Sequence, residues 1–227
     1  MTFSFGICAS ENNIKYHQTI IDSIKNLNIP TENYEIILIG DSKCNPQLND
    51  IRFIEFDETI RNGWITKKKN ILAQESKFEN LVIVHDYITF EKDWYDGYLK
   101  FGNNFIVSMN KIVDPNNERF VDWLVLHEEI KVPNSELLLP YDWLHCSKCM
   151  YIPGNYFVVK KQFLLNNPLN ENLIWGQAED VEWSRRIRNY INFAINPNSS
   201  VKLLKFKEYK FNEMSEQSKE IMRQYGF

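Results

Sequence analysis

The sequence predicts an α/β domain with a mostly parallel central sheet flanked by helices, spanning residues 1–227 as one unit. Three observations carry this expectation. Short apolar runs of strand type alternate with segments whose apolar residues recur at helical spacing, a β-α-β rhythm. One run, Leu81-Val-Ile-Val84, is apolar at every position, as a strand covered on both faces should be. A chain of 227 residues with 44% hydrophobic and 14% aromatic content is long and apolar enough to bury a substantial core.

Composition also excludes several classes. No apolar run approaches the roughly 20 residues a bilayer span needs, so no transmembrane segment is expected. The stretch Met1 to Cys8 reads as a first strand rather than a secretion signal, which makes a cytoplasmic location the default expectation. With a net charge of −4 and no basic block longer than Lys67-Lys68-Lys69, the chain lacks the electrostatic footprint of a nucleic-acid binder. Cys8, Cys44, Cys146 and Cys149 are few for the length, as in a reducing compartment, and no disulfide is expected.

Phe3, Phe5 and Ile7 alternate as a strand. Ser10 then stands as an N-cap before a helix carrying Ile14, His17, Ile20, Ile21, Ile24 and Leu27 on one face. Pro30 breaks that helix, and Tyr34 to Ile39 forms a buried strand ending at Gly40-Asp41-Ser42. Ile51 to Phe56 alternates as a third strand, and Trp64 to Ser76 is helical beyond Asn62-Gly63. Leu81 to Asp86 is the fourth strand. Asp93 caps a short helix with Trp94, Tyr95, Tyr98 and Leu99, and Asn104 to Met109 is a fifth strand. Residues 111–150, with Pro115, Pro133 and Pro140, read as an irregular lid or acceptor-side excursion. Tyr156 to Val159 resumes strand character. A helix over 175–191, a strand from Ser200 to Phe211 and a short C-terminal helix complete the chain.

In an open α/β sheet, ligands bind outside the carboxyl ends of the strands, where Asp41 and Asp86 stand. Asp41-Ser42 reads equally as a turn cap or as a nucleoside contact. Asp86 follows four apolar residues, and a charge in that setting is costly unless paired or metal-bound, which favours a functional role. Glu179, Asp180 and Glu182 precede Arg185, Arg186 and Arg188, the charge order a helix dipole favours. Lys67, Lys68 and Lys69 with Asn70 offer a cation to a phosphate, although lysines on a helix are commonly just solvated. Trp64, Trp143, Tyr151 and above all Trp175 are candidates to stack on sugar rings. His145-Cys-Ser-Lys-Cys149 has zinc-ligand spacing, but one Cys-x-x-Cys pair with His127 or a remote cysteine is a weak metal signal, and ordinary buried thiols are the alternative.

The ordered set Glu35-Ile-Ile-Leu-Ile-Gly-Asp41, Asn62-Gly63 with Lys67 to Asn70, Val84-His-Asp86-Tyr, Pro153-Gly-Asn-Tyr-Phe-Val-Val-Lys160 and Trp175-Gly-Gln-Ala-Glu179-Asp180 resembles GT-A glycosyltransferases of the family-2-like group. The Trp-Gly and Glu-Asp region also resembles the C-terminal portion of galactosyltransferases. The resemblance implies a Rossmann-like GT-A domain with a nucleotide-sugar-binding half, 1–110, and an acceptor-binding half, 111–227, carrying the catalytic helix. It implies a UDP- or GDP-sugar donor held by Ser10, Asp41, Lys68, Lys69, Asn70, His85 and Asp86. A divalent cation, Mn2+ or Mg2+, would sit on Asp86 with help from His85. A glycan or other hydroxyl acceptor would contact Trp175, Gly176 and Glu179, and Asp180 would act as the base of an inverting transfer. Two departures stand out: His85 and Tyr87 flank Asp86 where the family usually has a second acid, and Lys202 and Lys205 stand where a further metal-ligand histidine is often found. In some relatives a basic residue replaces the metal's role.

The chemistry asked of Asp180 is physically sound, since sugar transfer with inversion needs a carboxylate within hydrogen-bond reach of the acceptor hydroxyl. Two other readings remain at this point. A sugar nucleotidyltransferase would be expected to carry a glycine-rich, basic loop after the first strand, whereas Ala9-Ser-Glu-Asn-Asn-Ile14 has neither glycine nor arginine. A non-catalytic carbohydrate-binding module would keep the fold and bind glycan without a nucleotide sugar.

Overall fold

The computed structural model describes residues 1–125, 138–144 and 150–207. The His127, His145, Cys146 and Cys149 positions, and with them the zinc reading, lie outside the described residues, as does the expected helix beyond Phe211.

Ten strands and five α-helices are described. The strands are β1 (Phe3–Cys8), β2 (Tyr34–Gly40), β3 (Arg52–Glu55), β4 (Asn80–His85), β5 (Ile88–Phe90), β6 (Val107–Val113), β7 (Leu124–Val125), β8 (Met150–Tyr151), β9 (Tyr156–Lys160) and β10 (Ala194–Leu203). The helices are α1 (Ile14–Lys25), α2 (Ile65–Glu75), α3 (Trp94–Phe101), α4 (Lys161–Asn166) and α5 (Glu179–Ile187). Eight strands make one sheet in the order β3-β2-β1-β4-β9-β6-β10-β5, and β7 pairs with β8 apart from it.

The sheet is mixed. From β3 to β4 every pairing is parallel, as the β-α-β rhythm predicts. Beyond β4, β9 runs antiparallel to both β4 and β6. The two expected halves therefore interleave in one sheet, because a strand from the second half is inserted beside the last parallel strand of the first.

Alternation along β1 sets the two faces. Phe3 and Phe5 pack with Phe90, Trp94 and Tyr98 on one side, ring centroids 4.9 to 5.7 Å apart for Phe3–Trp94, Phe5–Phe90 and Phe3–Tyr98. Such aromatic pairs add about 0.5–1.5 kcal/mol each beyond area burial. The Trp94 indole N–H donates to the Tyr156 hydroxyl at 2.8 Å, so the polar atoms of this cluster are satisfied. On the other face Gly6 lies beneath α2: a Cβ there would meet the Leu72 side chain at 2.9 Å.

Two differences from the sequence expectation matter for the site. The three residues of β5 are too short to display a period, yet β5 pairs antiparallel with the end of β10, Leu203 opposite Ile88. The Leu204 N–H then donates to the Tyr87 carbonyl at 2.8 Å. This pairing places the chain beyond β10 beside the end of β4. In addition, Ser10 does not cap α1. A 3-10 turn over Glu11–Asn13 intervenes, and the Ser10 side chain bonds elsewhere.

Helix α3 approaches β10 so closely that only glycine fits at position 97, where a Cβ would lie 2.3 Å from the Asn198 carbonyl oxygen and 2.3 Å from Ser199 Oγ. Gly97→Ala is expected to destabilise the fold by about 2 kcal/mol or more in urea denaturation, because backbone must move to admit the methyl. A loss below about 0.5 kcal/mol, the range of neutral surface changes, would contradict this packing.

Candidate functional site

The carboxyl edges of β1 and β4 are tied together by Asp86. The residue is 2% exposed, and its side chain accepts from the Ser10 backbone N–H, from Ser10 Oγ at 3.0 Å and from Asn13 Nδ2 at 2.7 Å, with His17 Nε2 at 3.5 Å. These partners all come from the turn after β1 and the first turns of α1. A carboxylate has about four lone-pair sites, and here each oxygen already faces this turn. Asp86 thus holds the β1–α1 turn against β4.

On either side of Asp86 the side chains differ in kind. His85 is buried, with the Tyr87 hydroxyl 3.3 Å from Nδ1, while Nε2 has no hydrogen-bond partner among the described residues. Burial first, then the charges of Lys69, Lys207, Lys68 and Lys205, holds its pKa well below the usual imidazole range. The Tyr87 ring carries two ammonium groups from the segment after β10, with Lys205 Nζ 4.7 Å and Lys207 Nζ 4.2 Å from its centroid. Lys205 also donates to Asn13 Oδ1 at 2.8 Å, and Lys207 donates to the Tyr87 hydroxyl at 2.6 Å.

Helix α2 contributes three expected residues with three different fates. Lys68 is buried, donates to the Ala9 carbonyl at 2.8 Å and pairs with Glu58, so it closes the β1 edge. Lys69 is fully buried. Its ammonium has no hydrogen-bond partner among the described residues, and Glu179 Oε1 stands 3.9 Å away. Asn70 is a clamp rather than a nucleotide contact: it donates to the Leu169 carbonyl, accepts from the Leu169 N–H and donates to Glu171. The amide matches a peptide unit in both directions, which fixes the helix to the segment over 169–175.

That segment is a strap leading to α5. Thr66 Oγ1 donates to the Leu173 carbonyl, Trp64 Nε1 to the Glu171 carbonyl, and Trp175 N–H to the Gly63 carbonyl, at 2.7, 2.7 and 2.8 Å. Gly63 and Gly176 have φ of 71° and 81°, and Ala178 sits in the left-handed region at φ 55°. For alanine this costs on the order of 1 kcal/mol, and such strain concentrates at functional turns. The turn delivers Glu179 and Asp180 to the start of α5.

The two carboxylates occupy different settings. Glu179 is 5% exposed beneath the site; burial first and the Asp180 charge second push its pKa up to about 7. Asp180 is half-buried, accepting from the Gly154 N–H through Oδ2 at 2.8 Å and from the Val181 N–H through Oδ1 at 2.9 Å. Gly154 is closely approached, since a Cβ there would lie 3.0 Å from Lys69 Nζ and 3.2 Å from Asp180 Oδ2. Backbone approach at Gly154 therefore brings Lys69 and Asp180 together.

Trp175 is 61% exposed beside Gly63, where its ring can meet a ligand, and Trp143 is also exposed. Tyr151 is buried in a small cluster with Val121, Leu124 and Val181, so it is not available for stacking. Trp64 packs on Phe56 and Arg61. Asp41 caps a 3-10 turn, accepting from the Lys43 N–H at 3.1 Å, at the end of β2. Lys202 Nζ bonds Asn117 Oδ1.

The Asp86–His85 metal site expected from the resemblance does not fit this arrangement. The Asp86 oxygens are committed to the β1–α1 turn, and a hard divalent cation requires several oxygen ligands. The ammoniums of Lys69, Lys207, Lys68 and Lys205 act on His85 and repel a cation there, while the carboxylates of Glu179 and Asp180 act on the neighbouring Tyr87. Among the described residues no group of three or more His, Cys, Asp or Glu side chains is placed to hold a metal ion. Tyr87, Gly154 and Lys207 belong to the site and were not singled out from the sequence. Tyr87 and Gly154 lie inside motifs quoted for the resemblance, and Lys207 stands two residues past Lys205.

Comparison with known proteins agrees with the fold. No family model matches the sequence, and no curated protein matches it. Solved structures do. S. aureus TarS 1–349 in complex with UDP-GlcNAc superposes with a TM-score of 0.66 at 15% identity, covering 99% of this chain and 65% of that one. GalNAc-T7 with UDP, GalNAc and Mn2+ superposes with a TM-score of 0.66 at 14% identity, covering 98% of this chain and 48% of that one. The chain has a GT-A glycosyltransferase fold. It spans less than two thirds of the length of these structures. Among the described residues no helix is long and apolar enough to cross a membrane.

The raised Glu179 pKa makes a sign-definite expectation. Between the ordinary glutamate value of 4.5 and about 7 the folded chain binds the proton that the unfolded chain has released, so stability falls as pH rises through this window. Glu179→Gln should remove up to about 3 kcal/mol of that pH-dependent loss, read from denaturation midpoints across the window. Parallel pH profiles for parent and variant would contradict the assignment.

Proposed function

We propose that this chain is a glycosyltransferase that takes a sugar from a nucleoside-diphosphate donor to a hydroxyl acceptor. One observation carries the reading: the half-buried Asp180, at the start of α5, is held by the Gly154 N–H across from the β1 and β4 edges. The likeness to structures containing UDP, UDP-GlcNAc and GalNAc supports the donor class.

In this reading the nucleoside lies along the β1 and β2 edges, near Ser10 and Asp41, and the diphosphate lies toward Tyr87. The acceptor hydroxyl hydrogen-bonds Asp180 while Trp175 stacks on the acceptor sugar. The acceptor oxygen attacks the anomeric carbon, the bond to the nucleoside diphosphate breaks, and the hydroxyl proton passes to the Asp180 carboxylate. Attack from the face opposite the leaving group inverts the anomeric centre. The backbone N–H groups of Gly154 and Val181 orient the base, and buried Glu179 supports it from beneath. The clamp of Asn70, Thr66 and Trp64 on residues 169–175 keeps this geometry rigid, which favours a near-attack arrangement.

Asp180→Asn keeps the shape and both accepted hydrogen bonds through its amide oxygen only in part, and it cannot take the proton. We expect it to slow nucleoside-diphosphate release from the nucleotide sugar that most raises the melting temperature by roughly 100-fold or more, with donor affinity held within about threefold. Turnover of the variant within a few-fold of the parent would remove Asp180 as the base.

A further inference from the structure

The edge of β4 presents cations where the resemblance implies a metal. Of the lysines near His85, Lys68 is neutralised by Glu58. Lys69, Lys205 and Lys207 have no ion pair at hydrogen-bond distance among the described residues, Glu179 being 3.9 Å from Lys69. Lys205 and Lys207 share one aromatic ring and, among the described residues, hydrogen-bond the neutral oxygens of Asn13 and Tyr87. Burial and the nearby Lys205 charge pull Lys207 down to about 8.

Two ammoniums on one ring repel each other, and a buried ammonium without a hydrogen-bond partner is costly. Both costs are relieved by an anion. The fully buried Lys69 ammonium and the His85 Nε2 atom, each without a hydrogen-bond partner among the described residues, are independent signs that an acceptor-rich ligand belongs here. The fold feature that assembles this edge is the antiparallel β5–β10 pairing, which carries Lys205 and Lys207 past Tyr87.

We propose that Lys205 and Lys207, seated on Tyr87, bind the diphosphate of the donor in place of a divalent cation, so that the transfer is metal-independent. This rests on the transferase reading and adds to it the identity of the counter-charge. Two ammoniums supply the double positive charge that a divalent cation would supply, and lysine binds phosphate as a point charge. As the sugar–oxygen bond breaks, the negative charge growing on the leaving diphosphate is stabilised by these two groups. No redox partner or further reactant is needed.

The test is calorimetric titration of UDP, GDP, uridine and inorganic pyrophosphate into the full chain, first in EDTA and then with MnCl2. The parent should bind UDP or GDP in EDTA, with affinity changed by less than about threefold on adding Mn2+. Lys205→Met with Lys207→Met should weaken nucleoside-diphosphate and pyrophosphate binding by roughly tenfold or more while leaving uridine binding unchanged, since charged hydrogen bonds are lost only to the phosphates. Lys207→Arg, which keeps the charge, should stay close to the parent, and it together with the single Lys205→Met variant serves if the double variant fails to fold. Nucleoside-diphosphate binding that appears only with Mn2+ overturns this proposal and leaves the transferase reading standing. Binding in EDTA that survives the loss of both lysines also overturns it. Absence of any nucleoside-diphosphate binding, with or without Mn2+, overturns both.

Discussion

The buried carboxylate of Asp86 is the interaction on which the site depends. A charge just past a fully buried strand is tolerable only when its oxygens are occupied, and here the β1–α1 turn occupies them. The consequence runs in both directions. The turn after β1, which carries no glycine, is shaped by a residue more than seventy positions away. In return, the Asp86 oxygens are taken up by that turn, and the groups flanking it, His85 and Tyr87, are buried beside the ammoniums of Lys69, Lys205 and Lys207.

The opposite wall is built by a different device. Helix α5 does not find its place through propensity alone, since its N-terminal turn includes an alanine at positive φ. Instead α2 and Trp64 just before it fix the strap over 169–175 with side-chain bonds to backbone carbonyls, and the strap leads into the turn that buries Glu179 and leaves Asp180 half-buried. Lys69, Gly154 and Asp180 then meet within van der Waals distance of one point. Two carboxylates adjacent in sequence acquire different environments, one buried and raised in pKa, the other half-buried and held by two N–H groups.

Much of this was legible in the sequence because the governing periods are local. β1, β2 and β4 announced themselves by alternation or by continuous apolar runs, and α1, α2 and α3 by helical spacing. Asp86 and Asp180 were singled out because they stand at the ends of such elements, whereas Lys69 reads in the sequence as one of three lysines on a solvated helix and is instead fully buried. What escaped depends on long-range pairing. The capping role assigned to Ser10 failed because its hydroxyl is turned to Asp86 across the sheet, accepts from the Asn13 side chain rather than a helix N–H, and is separated from α1 by a 3-10 turn. Asn70 looked like a ligand contact until the Leu169 peptide appeared opposite it. Lys207 carries no local signal at all: its position follows from a three-residue strand, β5, pairing with the end of β10. The insertion of β9 between β4 and β6, likewise, has no signature in any one segment.

In the proposed reading the carboxyl edge of β4 is a diphosphate seat built from cations, facing a carboxylate base on α5. Diffraction from crystals grown with UDP and MnCl2, recorded across the manganese absorption edge, tests this most directly. The account predicts UDP with its diphosphate against Tyr87, Lys205 and Lys207, and no manganese peak at Asp86. A manganese ion coordinated by Asp86 or His85, or UDP bound away from the β1 and β4 edges, would contradict it.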